Sequence, residues 1–252
     1  MTTHPLIILD LETARSADDC QHCGNPKDTC EFNQHRLGNI PTFLHGFQPI
    51  GWGKKADLGL SIGCYWDSRD QRCHFFDTHT LEETVRHLVE TQPLLVSFNG
   101  IAFDFPLMRA LLRQKADTLF HANYGATTGE HYTLRSLCDA FKTLGASSYD
   151  LLAEIWKVDP ARKFEHGLNS LDAISQANGL GAKLSHGAQA PRDWQAGRYA
   201  QVISHCQDDV YLTKALFEMI CQGHPILRGD GQPIVLRNPY TLPEEEDARH
   251  AE

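Results

Sequence analysis

The sequence predicts an α/β fold built on a mixed β-sheet. Three observations carry this. A short apolar run, PLIILDL, opens the chain at residues 5–11. An alternating apolar–polar pattern over residues 58–78 brackets the turn-like DSRDQ. After that, helical patterns alternate with a second apolar run, PLLVSFN at 93–99, and then dominate. The order β, ββ, α, β, α, then helices suits a sheet covered by helices.

Each element has a local reason. The run at 5–11 is continuous rather than alternating, as in a strand buried on both faces. The 58–78 pattern has the strand period on both sides of a polar turn and reads as a hairpin. In TLEETVRHLVETQ, Thr80 followed by Glu83 predicts a capping box before an amphipathic helix. DFPLMRALLRQKA at 104–116 reads as a helix with Pro106 in its first turn, where proline is tolerated. Residues 125–160 are mostly helical in pattern without clear bounds. A short helix with a glycine stop is expected in 167–181, and a long helix from about residue 194 or later to 220. ILRGDGQPIVL at 226–236 predicts a closing hairpin on an Asp-Gly turn. PEEEDARHAE at the C-terminus reads as a disordered acidic tail.

The bulk properties narrow the function. With 41% hydrophobic and 22% charged residues among 252, the chain is ordinary for a globular protein. No stretch approaches the roughly 20 apolar residues of a membrane span, and the N-terminus lacks the basic region of a signal peptide. A cytoplasmic location without membrane partners is therefore expected. The formal net charge of −9 argues against binding nucleic acid by bulk electrostatics. A local basic groove is compatible with it, as is a cluster of metal-binding carboxylates.

Carboxylates recur where strands end. LDLET places Asp10 and Glu12 two residues apart on a strand, hence on one face. Ligand sites in open α/β sheets lie at such strand ends. Two like charges there repel unless a cation bridges them. LLVSFNGIAFDFPLM sets Asp104 between Phe103 and Phe105, where an unpaired charge would be expensive. A helix N-terminal aspartate favoured by the dipole is the ordinary alternative. In VISHCQDDVYLT, His205 and Asp209 share one helix face. An ordinary His–Asp pair on an amphipathic helix is the alternative there.

Taken in order, LDLET, NGIAFD and HCQDD resemble the motifs of the DnaQ-like (DEDD) 3′-to-5′ exonuclease superfamily, whose fold is ribonuclease H-like. The stretch around HCQDD looks most like its bacterial, polymerase-proofreading-like branch. The resemblance implies a ribonuclease H-like mixed β-sheet flanked by helices over residues 1–224, with a Cys-containing insertion at 14–55 after the first strand. The hairpin at 225–239 and the tail at 240–252 follow. It implies Asp10, Glu12, Asp104 and Asp209 as ligands of two Mg²⁺ or Mn²⁺ ions, a hard-oxygen set suited to those metals. Position 205 holds His where tyrosine-type members have Tyr, at the tyrosine-type spacing to Asp209. His205 is then the general base or the orienter of the attacking water, for which an imidazole pKa near about 6.5 is suited. Alternatively it only hydrogen-bonds a ligand carboxylate. Asn99-Gly100 supplies a tight turn. Phe103 either stacks on a terminal base or packs in the core; Asn99 and Phe103 are the candidate substrate contacts.

The activity so implied is metal-dependent hydrolysis at the 3′ end of single-stranded nucleic acid, DNA ahead of RNA. Two alternatives stay open: an exoribonuclease trimming structured RNA, and a non-catalytic nucleic-acid-binding relative. The chain has no polymerase domain, so proofreading would need a separate polymerase or other nucleic-acid enzyme. The sequence leaves the oligomeric state open.

Eight cysteines in a cytoplasmic chain suggest metal ligands before disulfides. CQHCGNPKDTCEFNQH holds Cys20, Cys23, Cys30 and His35, the candidates for one structural Zn²⁺. Cys64 or Cys73 is the other source of a fourth ligand, and reduced, unligated cysteines are the alternative. Cys138, Cys206 and Cys221 fall in helical pattern and read as core. Arg36, Lys54, Lys55, Arg162, Lys163 and Lys183 are modest candidates for phosphate contacts, with ordinary surface charge as the alternative.

Overall fold

The computed structural model describes residues 4–27, 29–30, 47–122, 129–163, 165, 167–182 and 187–240. The strands of the main sheet are β1 (Leu6–Thr13), β2 (Leu60–Asp67), β3 (Arg72–Phe76), β4 (Leu94–Ser97) and β5 (Tyr149–Asp150). The helices are α1 (Lys55–Leu58), α2 (Leu81–Thr91), α3 (Asp104–Ala122), α4 (Gly129–Ala146), α5 (Leu151–Val158), α6 (Leu171–Ala177), α7 (Ala190–Gln195) and α8 (Tyr199–Cys221). A separate hairpin pairs β6 (Ile226–Leu227) with β7 (Pro233–Ile234).

The sheet runs β3-β2-β1-β4-β5. β1 to β3 are antiparallel neighbours, whereas β4 pairs parallel with β1 and β5 with β4. This mixed sheet flanked by helices is the α/β architecture the sequence predicts, and it is consistent with a ribonuclease H-like fold. The central strand β1 is buried on both faces. Ile7, Leu9 and Leu11 face the layer of α2, α3 and α4, where they meet Leu88, Leu112 and Phe141. Leu6 and Ile8 face the opposite layer with Val210 and Phe217 of α8. Strand period 2 places Asp10 and Glu12 on that second face, beneath α8. The last helix thus lies over the end of β1 where its side chains turn from apolar to acidic, and the Cys206 thiol donates to the Asp10 carbonyl at 3.5 Å.

Several local expectations change. Thr80 makes no side-chain cap to α2. Instead the turn before α2 is closed by Asp77, which accepts from the backbone N–H groups of His79 and Thr80, while Thr80 Oγ1 accepts from Asp77 N–H. The long helix expected from about 194 or later to 220 is α8, and a short helix that the pattern did not separate precedes it. α7 ends near Ala196, Gly197 takes φ +75°, and α8 begins at Tyr199. The region 125–160 contains β5, a two-residue strand that no sequence period announces. The closing hairpin turns at Gly231, φ +77°, and Ile226, Ile234 and Leu236 join the core beside α6 and α8. The acidic tail at 243–252 lies outside the described residues. Among the described residues no helix is long and apolar enough to cross a membrane.

Candidate active site

Asp10, Glu12, Asp104 and Asp209 line one cavity of about 440 Å³ at the end of β1. They reach it from three elements: the last turn of pleat in β1, the first residue of α3, and the sheet-facing side of α8. Phe98, Asn99, Phe103, Trp52 and Trp156 complete much of its wall.

Asp104 is positioned by a tight link between β4 and α3. Asn99 takes φ +73°, a left-handed conformation that asparagine tolerates. Phe103 and Phe105 donate their N–H groups to the carbonyls of Asn99 and Gly100, each at 3.0 Å. Gly100 is required by space, not by its φ. A Cβ there would lie 2.4 Å from Ser97 Oγ, 2.6 Å from Ser97 Cβ and 3.2 Å from Asp104 Oδ2. Gly100→Ala should therefore force the turn apart and destabilise the protein by about 1–3 kcal/mol. Thermal unfolding checks this, and an unchanged Tm would show that the turn yields freely.

The sequence did not point to Asp150, yet it holds the same turn. Its carboxylate is buried and accepts the N–H of Asn99 at 3.0 Å and of Ile101 at 2.9 Å. It also caps α5 through the N–H of Ala153 at 3.1 Å. An aspartate immediately before the apolar run LLAEIW was a legible N-cap signal. Its reach across the sheet to Asn99 was not.

The electrostatics explain how Asp104 sits between two phenylalanines. It is 4% exposed. Burial pushes its carboxyl well above the usual carboxylate range. Asp10 and Asp150 push the same way, Lys55 opposes them, and Asp209 adds a further rise. Carboxylates gathered this closely are costly when ionised, and a cation among them reverses the sign of that cost. The oxygen-rich donor set fits Mg²⁺ or Mn²⁺. Glu12, His205 and Asp209 also offer ligand atoms that all lie within 4.8 Å of one another.

His205 occupies a different position from the four carboxylates. It is 3% exposed and does not line the cavity. Its Nε2 lies 3.3 Å from Glu12 Oε1. With Glu12 and Asp209 it forms one group of possible ligand atoms.

Phe103 divides from Phe105 as alternate roles demand. Phe105 is core, edge-on to Phe141 at 5.9 Å. Phe103 lines the cavity, meets Trp52 edge-on at 5.8 Å and carries Lys55 Nζ 4.1 Å from its ring centre. Across the cavity Lys163 lies 4.7 Å from the ring of Trp156. Trp52, Trp156 and Arg15 are lining residues that the motifs did not mark: Trp52 and Arg15 fall in a segment without periodicity, and Trp156 in a helical stretch that carries no site motif. Arg162 is committed to Glu165 and Asp230, and Lys54 to Gln21. Arg36 and Lys183 lie outside the described residues.

Beside the cavity, Cys20, Cys23 and Cys30 bring their sulfurs within 4.8 Å of one another. Burial raises the Cys20 thiol, but the N–H groups of Cys23 and His22 and the two neighbouring thiols outweigh it, leaving it at about 7. His35 lies outside the described residues. Cys64 and Cys73 are elsewhere, on β2 and β3 against α8, and do not join this group. The hairpin they flank packs them into the sheet, away from the insertion.

A family model described as "Predicted 3'-5' exonuclease related to the exonuclease domain of PolB" matches residues 66–224. The match includes Asp104, His205 and Asp209, while Asp10 and Glu12 precede it. Searches of the curated proteins and of the solved structures gave no match. On that match across most of the chain, the protein belongs to the family of predicted 3′-5′ exonucleases related to the exonuclease domain of PolB.

Proposed function

We propose that the protein is a divalent-metal-dependent 3′-to-5′ exonuclease that removes nucleotides from single-stranded ends by a two-metal mechanism. The convergence of Asp10, Glu12, Asp104 and Asp209 on one aromatic-walled cavity supports this most directly. When bound, divalent cations supply an activated water and stabilisation of the leaving oxygen.

The chain's own residues do the rest. The four carboxylates hold the cations. His205 orients Glu12 through the 3.3 Å contact. Phe103 and Trp52 offer a stacking wall for a terminal base, a sequence-tolerant contact. Lys55 and Lys163, each held over an aromatic ring beside the cavity, offset the repulsion between a chain of net charge −9 and a phosphate backbone. DNA is the preferred substrate in this reading, supported by the family's relationship to the exonuclease domain of PolB. A separate polymerase is the partner that reading suggests, in the cytoplasm, where eight cysteines without disulfides are at home.

The deciding assay uses 5′-labelled single-stranded DNA and matched RNA, with Mg²⁺ or Mn²⁺ or a chelator, beside Asp10→Ala. A metal-dependent ladder shortening from the 3′ end, absent in the variant, is the expected result. A ladder on RNA alone would make the enzyme an exoribonuclease. Binding without cleavage of either would make it a non-catalytic relative.

His205 gives a second test. As an orienter of Glu12, its replacement by Ala should raise the Mg²⁺ concentration for half-maximal activity about 10–100-fold and keep the shape of the pH–rate profile. His205→Tyr should recover part of the loss. Disappearance of the acidic limb in His205→Ala would instead make His205 the general base.

A further inference from the structure

We propose that Cys20, Cys23 and Cys30 bind one Zn²⁺ as a structural site, and that this site holds Trp52 in the wall of the cavity. The first part stands on the cysteine geometry alone. The second rests on reading the cavity as the substrate site.

The geometry is that of thiolates converging on one ion. Cys23 and Cys30 Sγ are 3.5 Å apart, far beyond the roughly 2.05 Å of a disulfide. Sulfurs about 2.3 Å from a shared tetrahedral zinc stand apart by nearly 4 Å. All three lie within 4.8 Å of one another, and Cys20 and Cys30 are fully buried. Three thiols gathered in one buried spot have little to gain from each other, whereas zinc takes three thiolates and releases their protons. The loop is shaped for it. Gly24 follows Cys23 at φ +75° and donates to the Cys20 carbonyl at 2.8 Å.

A short chain of contacts runs from the cysteines to the cavity. Gln21 N–H donates to Gln48, Ile50 N–H to Asp19 and Gly51 N–H to Ala17, each at 2.8 Å. These bonds lay residues 48–51 along the cysteine loop and set down Trp52 one residue later. Asp19, fully buried, ties the same loop to α7 by accepting from Arg192 at 2.9 Å and Gln195 at 2.8 Å. Trp52 is 66% exposed and touches Phe103 at the cavity edge. It has little packing of its own, so its position depends on that backbone.

The test uses the full-length chain. Elemental analysis should find one zinc per chain after purification without added metal. Titrating metal-free protein with Co²⁺ should produce an intense near-ultraviolet thiolate-to-metal band of three-sulfur strength. That band separates this site from any metal held by Glu12, His205 and Asp209, which offer no sulfur. Cys23→Ser should reduce zinc to below one tenth per chain while Asp209→Ala keeps it. Chelation should shift tryptophan emission in the wild type and leave it unchanged in Trp52→Phe. With Mg²⁺ restored in excess after the zinc has been removed, KM for single-stranded substrate should rise severalfold with little change in kcat. Protein free of zinc that gives no sulfur band with Co²⁺ would overturn the site. A sulfur band without any effect on Trp52 emission would overturn the link to the cavity. Neither outcome depends on whether the nuclease reading holds.

Discussion

Asp104→Asn should be folded, more heat-stable than the wild type in the presence of a chelator, and inactive. The loss of kcat is expected on the order of 10³-fold or more, the scale of removing several kcal/mol of transition-state charge stabilisation. The gain in stability has a separate cause. Asp104 is buried, and Asp10, Asp150 and Asp209 all disfavour its charge. Asparagine keeps its shape, removes the charge and relieves that crowding. A gain of about 1 kcal/mol corresponds to roughly 2–4 °C in Tm for a chain of this size. Mg²⁺ should raise the Tm of the wild type and leave that of the variant nearly unchanged. Opposite movement of stability and activity marks a site that tolerates strain for function. A variant that loses both together would make Asp104 an ordinary structural residue, and one that keeps full activity would remove it from the ligand set.

The features legible in the sequence were those with a local period or a local turn. Strand β1 was readable because Leu6 to Leu9 are all apolar, and the shared face of Asp10 and Glu12 followed from a period of two. The hairpin of β2 and β3 was readable from its alternation. The four carboxylates emerged because each follows or sits within a strongly patterned segment. β5 was invisible because Tyr149 and Asp150 are too few to show any period; only pairing with Val96 and Ser97 makes them a strand. α8 was legible from its long helical pattern, whereas the short α7 before it was not, because a single glycine parts the two. Trp52 and Trp156 reach the cavity by tertiary placement alone. His205 shows the limit most clearly. Its spacing to Asp209 put it on the right helix face, but whether an imidazole opens to the cavity or lies behind a carboxylate depends on how deeply α8 seats against β1.

Asp150 should separate positioning from plain stability. Asp150→Ala leaves the N–H groups of Asn99, Ile101 and Ala153 without their acceptor. Each buried donor left unsatisfied costs about 1–3 kcal/mol, so the Ala variant should lose on the order of 10 °C in Tm. Such a loss alone would say only that the fold needs a cap there. Asp150→Asn is the sharper variant. Its single oxygen can replace Oδ1, which serves Asn99 and Ala153, but its amide then faces the N–H of Ile101 and cannot accept from it. Turned the other way, it serves Ile101 and abandons the other two. In either orientation α5 or the turn before α3 is loosened, and Asp104 is carried by that turn. The Mg²⁺ concentration for half-maximal activity should therefore rise about 10-fold or more, as for other groups that orient a metal ligand, at a temperature where the variant is fully folded. Excess Mn²⁺ should restore much of the rate. Unchanged metal dependence in a folded Asp150→Asn protein would confine Asp150 to capping α5. A shift of metal dependence larger than the fall in Tm explains would show that the position of Asp104, and with it the site, is set from the far edge strand of the sheet.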